Sequence, residues 1–151
     1  LIGPKTPEDD FNELQLFINL YHLGNKVIFT GPKNRDEIPQ LLMGADCLAL
    51  ARPESVQADY GFPTKLGEYL ATKKPVVITA VGEIPFYLKD NISAFMARPD
   101  DPDHFAEKLY TVYNDPSFAA QVGMNGYRVA KENFDSKILA DKILENLEQN
   151  T

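Results

Sequence analysis

Hydrophobic residues along the chain occur either in short continuous runs or at helical spacing, and residues 61–79 contain both. Val76-Val77-Ile78 is a β-branched run of the kind that forms a strand buried on both faces of a sheet. Before it, Leu66, Tyr69 and Leu70 stand at positions i, i+3 and i+4, which predicts a helix with one apolar face. The stretch therefore predicts a loop, a helix and a buried strand, in that order.

The residues that flank this helix predict where it starts and stops. Gly61 and Pro63 are expected to form the preceding turn, because Gly adopts backbone angles that other residues avoid and Pro fixes its own φ. Thr64 is the expected N-cap, since its hydroxyl can accept a hydrogen bond from a free backbone N–H. Pro75 is expected to stop the helix. Glu68 lies off the apolar face, on the flank of the first turn.

Similar patterns predict the remaining elements. Short apolar runs predict strands at residues 27–30, 47–51 and 94–97. Helix-start residues and helical spacing predict helices at residues 6–24, 34–42, 101–113 and 115–134, and a last helix from Asp135 or Ser136 with an apolar face at Ile138, Leu139, Ile143, Leu144 and Leu147. Asn34 and Glu37 resemble a capping box at the start of the second helix. Residues 82–88 are predicted to be a short helix or turn, and residues 52–60 a loop.

Strands and helices alternate along the chain, and the strands are continuous apolar runs. This pattern predicts an α/β fold, with a Rossmann-like parallel sheet covered by helices on both faces. Ligands of such folds bind beyond the carboxyl ends of the strands. Four segments are expected to follow strands and to line that edge: Gly3-Pro4-Lys5, Thr30 to Lys33, Arg52 to Gly61 and Thr79 to Glu83.

Composition narrows the classes of function. The 151 residues suffice for one domain with a sizeable core, and the net charge of −7 argues against sequence-independent binding to nucleic acid or to an anionic membrane. The single cysteine, Cys47, excludes an internal disulfide framework and fits a reducing compartment. No apolar run is long enough to cross a membrane. The chain lacks an initiator Met and opens on Leu1-Ile2-Gly3, which looks like the tail of a strand, so we expect a fragment truncated at its N-terminus.

The junction between the loop and the helix at Thr64 carries the chemical signal. A helix N-terminus presents unpaired N–H groups and about half a positive charge, so it binds phosphate readily. A carboxylate one turn later, here Glu68, can accept hydrogen bonds from vicinal hydroxyls, as an acidic residue does for ribose in dinucleotide-binding folds. Together these features indicate a nucleoside diphosphate site, and they also fit an ordinary connection in an α/β domain.

Three stretches resemble a known enzyme family: GFPTKLGEYLATKKPVVIT from Gly61, VGEIPFYL from Val81 and ISAFMARPDDPDHFAEKL from Ile92. They resemble the C-terminal half of retaining glycosyltransferases of family 4, which have the GT-B fold, and the likeness covers nearly the whole chain. The family usually carries a Glu-x7-Glu pattern. Glu68 matches the second glutamate, whereas Tyr60 stands where the first would be. Some members carry the shorter form F-P-[ST]-K-x-x-E-Y-L-A, and this chain is similar to those.

The resemblance implies roles for residues around the loop-to-helix junction. Glu68 would contact the ribose of a nucleoside diphosphate sugar, the donor substrate. Its diphosphate would meet the backbone N–H groups of Thr64, Lys65 and Leu66, in the segment that begins at Gly61. Lys65 would add its charge to the phosphate or would be a surface lysine.

The remaining candidates follow other strands or replace the missing glutamate. Family members hold the base by backbone groups and packing after the second strand, which here is Gly31 to Lys33. Glu83 belongs to the loop after the central strand, and the resemblance places it near the cleft. The family places its first glutamate near the donor sugar, and Asp59 or Glu54, in the same loop, are the candidates to substitute for it as a catalytic carboxylate. Each of these residues also fits a plain turn or a solvated loop position.

The resemblance therefore predicts that residues 1–151 are the nucleotide-sugar binding domain of a larger two-domain GT-B glycosyltransferase. The parent enzyme, of hexosyltransferase type, would move a sugar to an acceptor hydroxyl with retention of configuration, in polysaccharide or other glycan biosynthesis. Stabilising the departing diphosphate by helix amides needs no metal or cofactor. Neither His22 nor His104 has a partner at metal-ligand spacing, so the sequence predicts no metal site.

The resemblance also implies what the chain lacks. The family's Arg/Lys pair on the diphosphate and its acceptor-side histidine would precede the first residue here, so the fragment alone is expected to be inactive. The glycan or lipid-linked acceptor would be bound by the missing N-terminal domain, in the cytoplasm or, through that domain, at the inner face of the membrane. Two alternatives stay open: a GT-B sugar-nucleotide 2-epimerase, and a non-catalytic Rossmann-like interaction module.

Overall fold

The structure is a computed structural model that describes residues 8–138 and 140, where helices alternate with short strands. In chain order the elements are α1 (Glu8–Leu20), α2 (Ile38–Met43), β1 (Leu48–Leu50), α3 (Val56–Tyr60), α4 (Thr64–Ala71), β2 (Val76–Thr79), α5 (Ile84–Tyr87), β3 (Phe95–Ala97), α6 (Pro102–Asn114) and α7 (Pro116–Asn133). The chain divides into two units, residues 1–41 and residues 42–151.

In the first unit, α1 ends earlier than the sequence predicts. The helix stops before Gly24, and His22 takes the left-handed conformation with a φ of 55°. The N–H of Leu23 bonds to the carbonyl of Ile18 at 2.8 Å, and the N–H of His22 bonds to that of Asn19 at 3.2 Å. These two bonds form the Schellman arrangement, which closes the helix although the left-handed residue is not a glycine.

The predicted strand at residues 27–30 is wrong for the described structure. The segment has no regular secondary structure, and Ile28 is 71% exposed. The ring of Phe29 packs edge-on against that of Phe11 in α1, with ring centroids 5.3 Å apart. An apolar run indicates that some side chains are buried, but it does not by itself decide whether the segment joins a sheet.

The capping interaction predicted before α2 forms in part. The carboxylate of Glu37 accepts a hydrogen bond from the N–H of Asn34 at 3.0 Å, as the third residue of a capping box does. This bond, together with Lys33 beside it, lowers the pKa of Glu37. The short helix α2 is confirmed.

The second unit contains a parallel sheet with the strand order β1-β2-β3. Leu48 of β1 pairs with Val76 of β2, and Val77 of β2 pairs with Phe95 of β3. All four residues of the central strand β2 are buried, as the continuous apolar run predicts. The predicted α/β class and the parallel sheet are therefore confirmed.

Helices cover both faces of this sheet. Val77 and Phe95 pack with Val112 of α6 and with Ala119 and Val122 of α7 in one hydrophobic cluster. Successive side chains of a strand point to opposite faces. Val76 and Ile78, on either side of Val77 in β2, therefore point away from that cluster. Those residues are buried as well, which shows that the second face is also covered.

Two glycines let α7 approach the rest of the unit closely. A Cβ added at Gly123 would lie 2.5 Å from the carbonyl oxygen of Lys73, and one added at Gly126 would lie 2.5 Å from that of Ser93. Real Cβ atoms do not come so near to a backbone oxygen. Gly123 therefore packs directly on the backbone that follows α4, and Gly126 on the backbone that precedes β3.

The segment before α4 contains three departures from the prediction. Residues 52–60 include the helix α3, which Ser55 caps by accepting from the N–H of Ala58 at 3.1 Å. A helix this short needs only one capping residue and one buried alanine. It therefore shows no helical spacing of apolar residues in the sequence. The N-cap of α4 is Pro63 rather than Thr64, and no side chain caps it. The helix ends before Pro75, with Lys73 at a positive φ of 65°.

The long helices α6 and α7 are confirmed close to their predicted bounds. Asp101 accepts from the N–H of His104, and Asp115 accepts from that of Phe118, both at 2.9 Å, so each aspartate is the N-cap. The predicted helix start at Thr6, the strand at residues 1–3 and most of the last predicted helix lie outside the described residues.

Candidate functional site

A threonine hydroxyl joins the carboxyl ends of β1 and β2. Thr79, the last residue of β2, accepts a hydrogen bond from the N–H of Arg52 at 2.9 Å and donates one to its carbonyl at 2.8 Å. Thr79 is buried, so water competes little for these bonds. At the same edge the N–H of Ala80 bonds to the carbonyl of Ala97 in β3 at 2.8 Å. The segments that follow the strands therefore begin side by side, as expected of a parallel sheet.

The loop between α3 and α4 is held from two sides. The guanidinium Nη1 atom of Arg52 donates a hydrogen bond to the carbonyl of Gly61 at 2.9 Å. The ring of Phe62 packs against Tyr87 of α5 and against Phe134 beyond α7, with ring centroids 5.5 and 4.9 Å apart. These contacts fix the backbone that leads into the first turn of α4.

The glycine in this loop is required for a steric reason. Its φ of −119° is open to every residue, so the conformational reason predicted from the sequence is wrong. A Cβ at Gly61 would lie 2.5 Å from the carbonyl oxygen of Gln57 in α3. Only a residue without a side chain lets the chain turn this tightly between α3 and α4.

The helix α4 begins with two exposed residues. Thr64 and Lys65 are exposed, and among the described residues no hydrogen bond involves their N–H groups. The N–H of Leu66 instead bonds to the carbonyl of Pro63 at 2.9 Å, and the Leu66 side chain is fully buried. Of the three amides that the sequence singles out, two therefore have no hydrogen-bond partner among the described residues and one is engaged.

Glu68 is exposed and is the fifth residue of α4, at the beginning of its second turn. No hydrogen bond or ion pair within the described residues involves its carboxylate. The next residue, Tyr69, is half-buried, and its pKa is raised by burial and then by the charge of Glu68. The helix thus buries Leu66 and Leu70 on one face while Glu68 stays available for a ligand.

The two candidates for the missing catalytic carboxylate lie before this helix. Glu54 is exposed, and its N–H donates to the carboxylate of Asp100 at 3.3 Å. Asp59 lies in α3, and its side chain is outside the described part of the structure. Tyr60, which stands where the resemblance expects the first glutamate, is 90% exposed and so is not a core residue.

Glu83 follows β2 at the same edge. It is exposed and occupies the N-cap position of α5, but its side chain accepts no capping hydrogen bond. The preceding residue, Gly82, has a φ of 55°, and this left-handed turn directs the chain into α5. Phe86 in the same helix is 87% exposed, so it is not a core residue either.

The candidate base-binding segment belongs to the first unit. Gly31 has a positive φ of 67°, a conformation that favours glycine. The ammonium group of Lys33 lies 3.4 Å from the Glu37 carboxylate, so this charge is already paired at the surface. The segment is described only as part of the unit formed by residues 1–41.

Two cavities lie at opposite edges of the sheet. A cavity of about 380 Å³ opens at the carboxyl edge, where it is lined by Ala51, Arg52, Pro53, Thr79, Asp100, Asp101, Pro102 and Phe105. A larger one of about 710 Å³ lies at the amino edge, where Cys47 and Pro75 precede β1 and β2. We place the candidate site at the carboxyl edge despite the larger cavity, because the predicted residues follow the strands and ligands of parallel α/β sheets bind there.

Neither histidine forms a metal centre in the described residues. Among the side chains that the structure describes, no group of three or more His, Cys, Asp and Glu is arranged to hold a metal ion. The Nδ1 atom of His104 accepts a hydrogen bond from the N–H of Arg98 at 3.0 Å, which gives this side chain a structural contact. In the same part of the chain, no helix is long and apolar enough to cross a membrane.

Sequence reasoning missed how Arg52, Thr79 and Phe134 hold the candidate site in place, although it named the first two as ends of segments at the binding edge. Their contacts join segments far apart along the chain, and no local pattern marks them. One signal was present: Arg52 is a long cation directly after a predicted strand, in a segment predicted to line the binding edge.

Comparison with known proteins shows which family the chain belongs to. Residues 1–129 match the family described as glycosyl transferases group 1. Trehalose phosphorylase of Pleurotus pulmonarius is 32% identical over 80 residues, which are 53% of this chain and 10% of that protein. D-inositol 3-phosphate glycosyltransferase of Mycolicibacterium gilvum is 30% identical over 106 residues, or 66% of this chain and 23% of that protein.

A solved structure shows the same fold. The chain superimposes on Anabaena Alr3699/HepE in complex with UDP and glucose with a TM-score of 0.84, at 26% identity. The match covers 99% of this chain and 40% of that one. The chain thus spans less than half the length of each of these three proteins.

Proposed function

The chain belongs to the group 1 glycosyl transferases, and from that premise we propose that it is the nucleotide-sugar binding, C-terminal half of a GT-B enzyme. The observation that carries the proposal is the arrangement at α4. Two amides without a described partner, those of Thr64 and Lys65, open the helix, and the unpaired carboxylate of Glu68 follows one turn later. The similar structure with UDP and glucose bound supports this assignment.

In this proposal the amides of Thr64 and Lys65 bind the donor diphosphate. Negative charge on the phosphate grows as the sugar departs, and fixed N–H groups with the helix dipole behind them stabilise it without having to reorganise. The Leu66 amide is bonded to Pro63, so it contributes through the dipole. The exposed ammonium of Lys65 adds charge, and the Glu68 carboxylate accepts from the ribose hydroxyls.

The missing family glutamate leaves the sugar side of the site incomplete. Glu54 and Asp59 precede α4 in the same connection, and we propose that one of them faces the donor sugar. Glu83, which follows β2, is proposed at the same edge, and Gly31 to Lys33 are proposed to contact the base.

The proposed reaction is transfer of a hexosyl group to an acceptor hydroxyl, with retention of configuration as in family 4. A glycan or lipid-linked acceptor would be bound by the other half of the enzyme, since this chain covers 40% of the similar solved structure. Residues 1–151 would then be one domain without activity of its own. Assembly of a polysaccharide or another glycan, in the cytoplasm, is the setting that this proposal favours.

The proposal is tested by calorimetric titration of this chain, and then of the complete protein, with UDP, GDP and ADP. We expect one nucleotide to bind saturably and Glu68→Ala to weaken its binding about tenfold or more, because hydrogen bonds to a charged group are worth about 1.5–3 kcal/mol. Glu107→Ala is the matched control, since it removes an exposed glutamate from α6, and it should leave the affinity unchanged.

Failure of the complete protein to bind any of the three nucleotides would refute the proposed function. The second candidate function is that of a phosphorylase, because one relative is named trehalose phosphorylase. Sugar phosphate and inorganic phosphate are therefore included in the titration. Saturable binding of these two with none of the nucleotides would favour the phosphorylase.

A further inference from the structure

We infer that Arg52 is a positioning residue of the donor site, which holds the loop before α4 so that its first amides face the diphosphate. The inference rests on the proposed function and assigns a role to a residue outside the set that the sequence marks. Arg52 bonds through its backbone to Thr79 and through its guanidinium group to Gly61.

The linkage runs from Thr79 through Arg52 to Gly61, and its rigid end is the central strand β2. Thr79 is buried at the end of β2, all of whose residues are buried. Its hydroxyl both accepts from the N–H of Arg52 and donates to its carbonyl, at 2.9 and 2.8 Å. The backbone of Arg52 is therefore fixed relative to the sheet, although it lies beyond the last residue of β1.

The other end is the loop before α4. The Nη1 atom of Arg52 donates to the carbonyl of Gly61 at 2.9 Å, and that carbonyl lies three residues before the first helical residue, Thr64. Gly61 has no side chain with which to anchor itself, and a Cβ there would collide with Gln57. Arg52 therefore supplies a second anchor for the loop, beside the packing of Phe62 against Tyr87 and Phe134.

This linkage has a chemical consequence for the donor. Amide stabilisation of a diphosphate depends on donors that are already in place when charge develops. A displacement of the Thr64 and Lys65 amides by a fraction of an ångström weakens both hydrogen bonds to the phosphate. Arg52 itself need not touch the ligand, because its guanidinium group is bonded to Gly61.

The test measures nucleotide affinity and amide positions in the complete protein. Arg52→Ala should weaken binding of the preferred nucleoside diphosphate about tenfold and should reduce the NMR shifts that saturating nucleotide induces at the Thr64 and Lys65 amides. Arg52→Lys can restore one hydrogen bond to Gly61, so its affinity should fall between those of wild type and Arg52→Ala. Arg98→Ala is the control, because that arginine is at the same edge and pairs only with Asp101 among the described acids. It should change neither readout.

The outcomes separate this inference from the proposed function. If the unsubstituted protein binds no nucleoside diphosphate, the proposed function fails and this inference fails with it. If the protein binds and Arg52→Ala binds equally well, only the role of Arg52 is refuted. If Arg52→Ala does not fold, Thr79→Val removes the other end of the linkage with little change in volume, and unchanged nucleotide affinity in that variant refutes the inference.

Discussion

The Nζ atom of Lys108 lies 2.6 Å from Oδ2 of Asp90 and ties α6 to the turn before β3. The other oxygen of Asp90 accepts a hydrogen bond from the N–H of Met96 in β3 at 2.8 Å. The lysine side chain is 10% exposed and the aspartate 41%, so the two partners differ in their access to water. This difference decides what each substitution should cost.

Asp90→Ala should destabilise the protein by about 2 kcal/mol or more, because it leaves the Met96 amide without a partner and the buried ammonium group of Lys108 with only the Asn91 side chain, at 3.5 Å. Lys108→Met should cost about 1 kcal/mol or less, since the remaining carboxylate reaches water and still accepts from Met96. Denaturant titration measures both free energies of unfolding. A larger loss for Lys108→Met than for Asp90→Ala would contradict this account of the pair.

Gly126→Ala should destabilise the protein by about 1–3 kcal/mol through overpacking. The added Cβ would lie 2.5 Å from the carbonyl oxygen of Ser93 and 2.8 Å from a methyl group of Leu70. Gly67→Ala, in the helix α4, is the matched control because its Cβ would meet Phe134 at an ordinary distance of 3.6 Å. That control should be neutral or stabilising by about 0.5–1 kcal/mol, since alanine favours helix. Equal melting temperatures for the two variants would refute the predicted close packing.

Gly61→Ala should weaken nucleotide binding about tenfold without a comparable loss of stability. The Cβ would collide with the carbonyl oxygen of Gln57, and the half-buried loop would have to shift to relieve the clash. A shifted loop displaces the amides at the start of α4. Calorimetric titration against Gly67→Ala as the control measures the effect. Wild-type affinity in Gly61→Ala would show that the position of this loop does not govern the site.

The thiol of Cys47 should react slowly with alkylating reagents in the folded protein. Burial raises the pKa of this thiol to about 11, with a smaller contribution of the same sign from Asp46. At pH 8 the fraction present as thiolate is then roughly 100-fold lower than for an ordinary cysteine. The alkylation rate, measured against pH in native and denatured protein, should rise near pH 11 in the first case and near pH 8–9 in the second. Equal rates in both states would overturn the prediction.

The same shift predicts how stability changes in alkali. A thiol whose folded-state pKa is raised loses its proton more easily in the unfolded chain. Its contribution to stability is therefore complete below the unfolded pKa and is lost as the pH rises from there to about 11. Cys47→Ser removes the titrating thiol, so the free energy of unfolding of this variant should fall less steeply with pH in that range than that of wild type.

Asp101 should make the opposite contribution in acid. Its carboxylate accepts from the N–H of His104 and then from the Arg98 side chain, and these bonds lower its pKa. The stabilisation is present above the unfolded pKa of about 3.9 and is lost as the pH falls through the lower folded-state value. Asp101→Asn keeps an N-cap oxygen but does not titrate. Unfolding free energies between pH 5 and pH 2 should therefore decrease less for the variant, and identical slopes would refute the predicted role of Asp101.

Local sequence determines much of this protein, because some structural signals act over a few residues. The apolar run at Val76 to Ile78 predicts the central buried strand, and Asp101 and Asp115 each mark a helix start that the structure confirms. These interactions join neighbours along the chain. A parallel α/β fold and the position of α4 therefore follow from the sequence, and the family resemblance supplies Glu68 as a candidate.

Tertiary structure decided the features that depend on contacts between distant residues. The hydroxyl of Thr79 and the backbone of Arg52 are 27 residues apart, and no pattern in either segment predicts their bonds. No local pattern predicts that position 61 must be glycine, because the reason is the carbonyl of Gln57 across a turn. Nor does one predict that Tyr60, an aromatic residue, is exposed. Periodicity specifies which side chains prefer burial, whereas the packing of the whole unit decides which of them find a partner and which face a ligand.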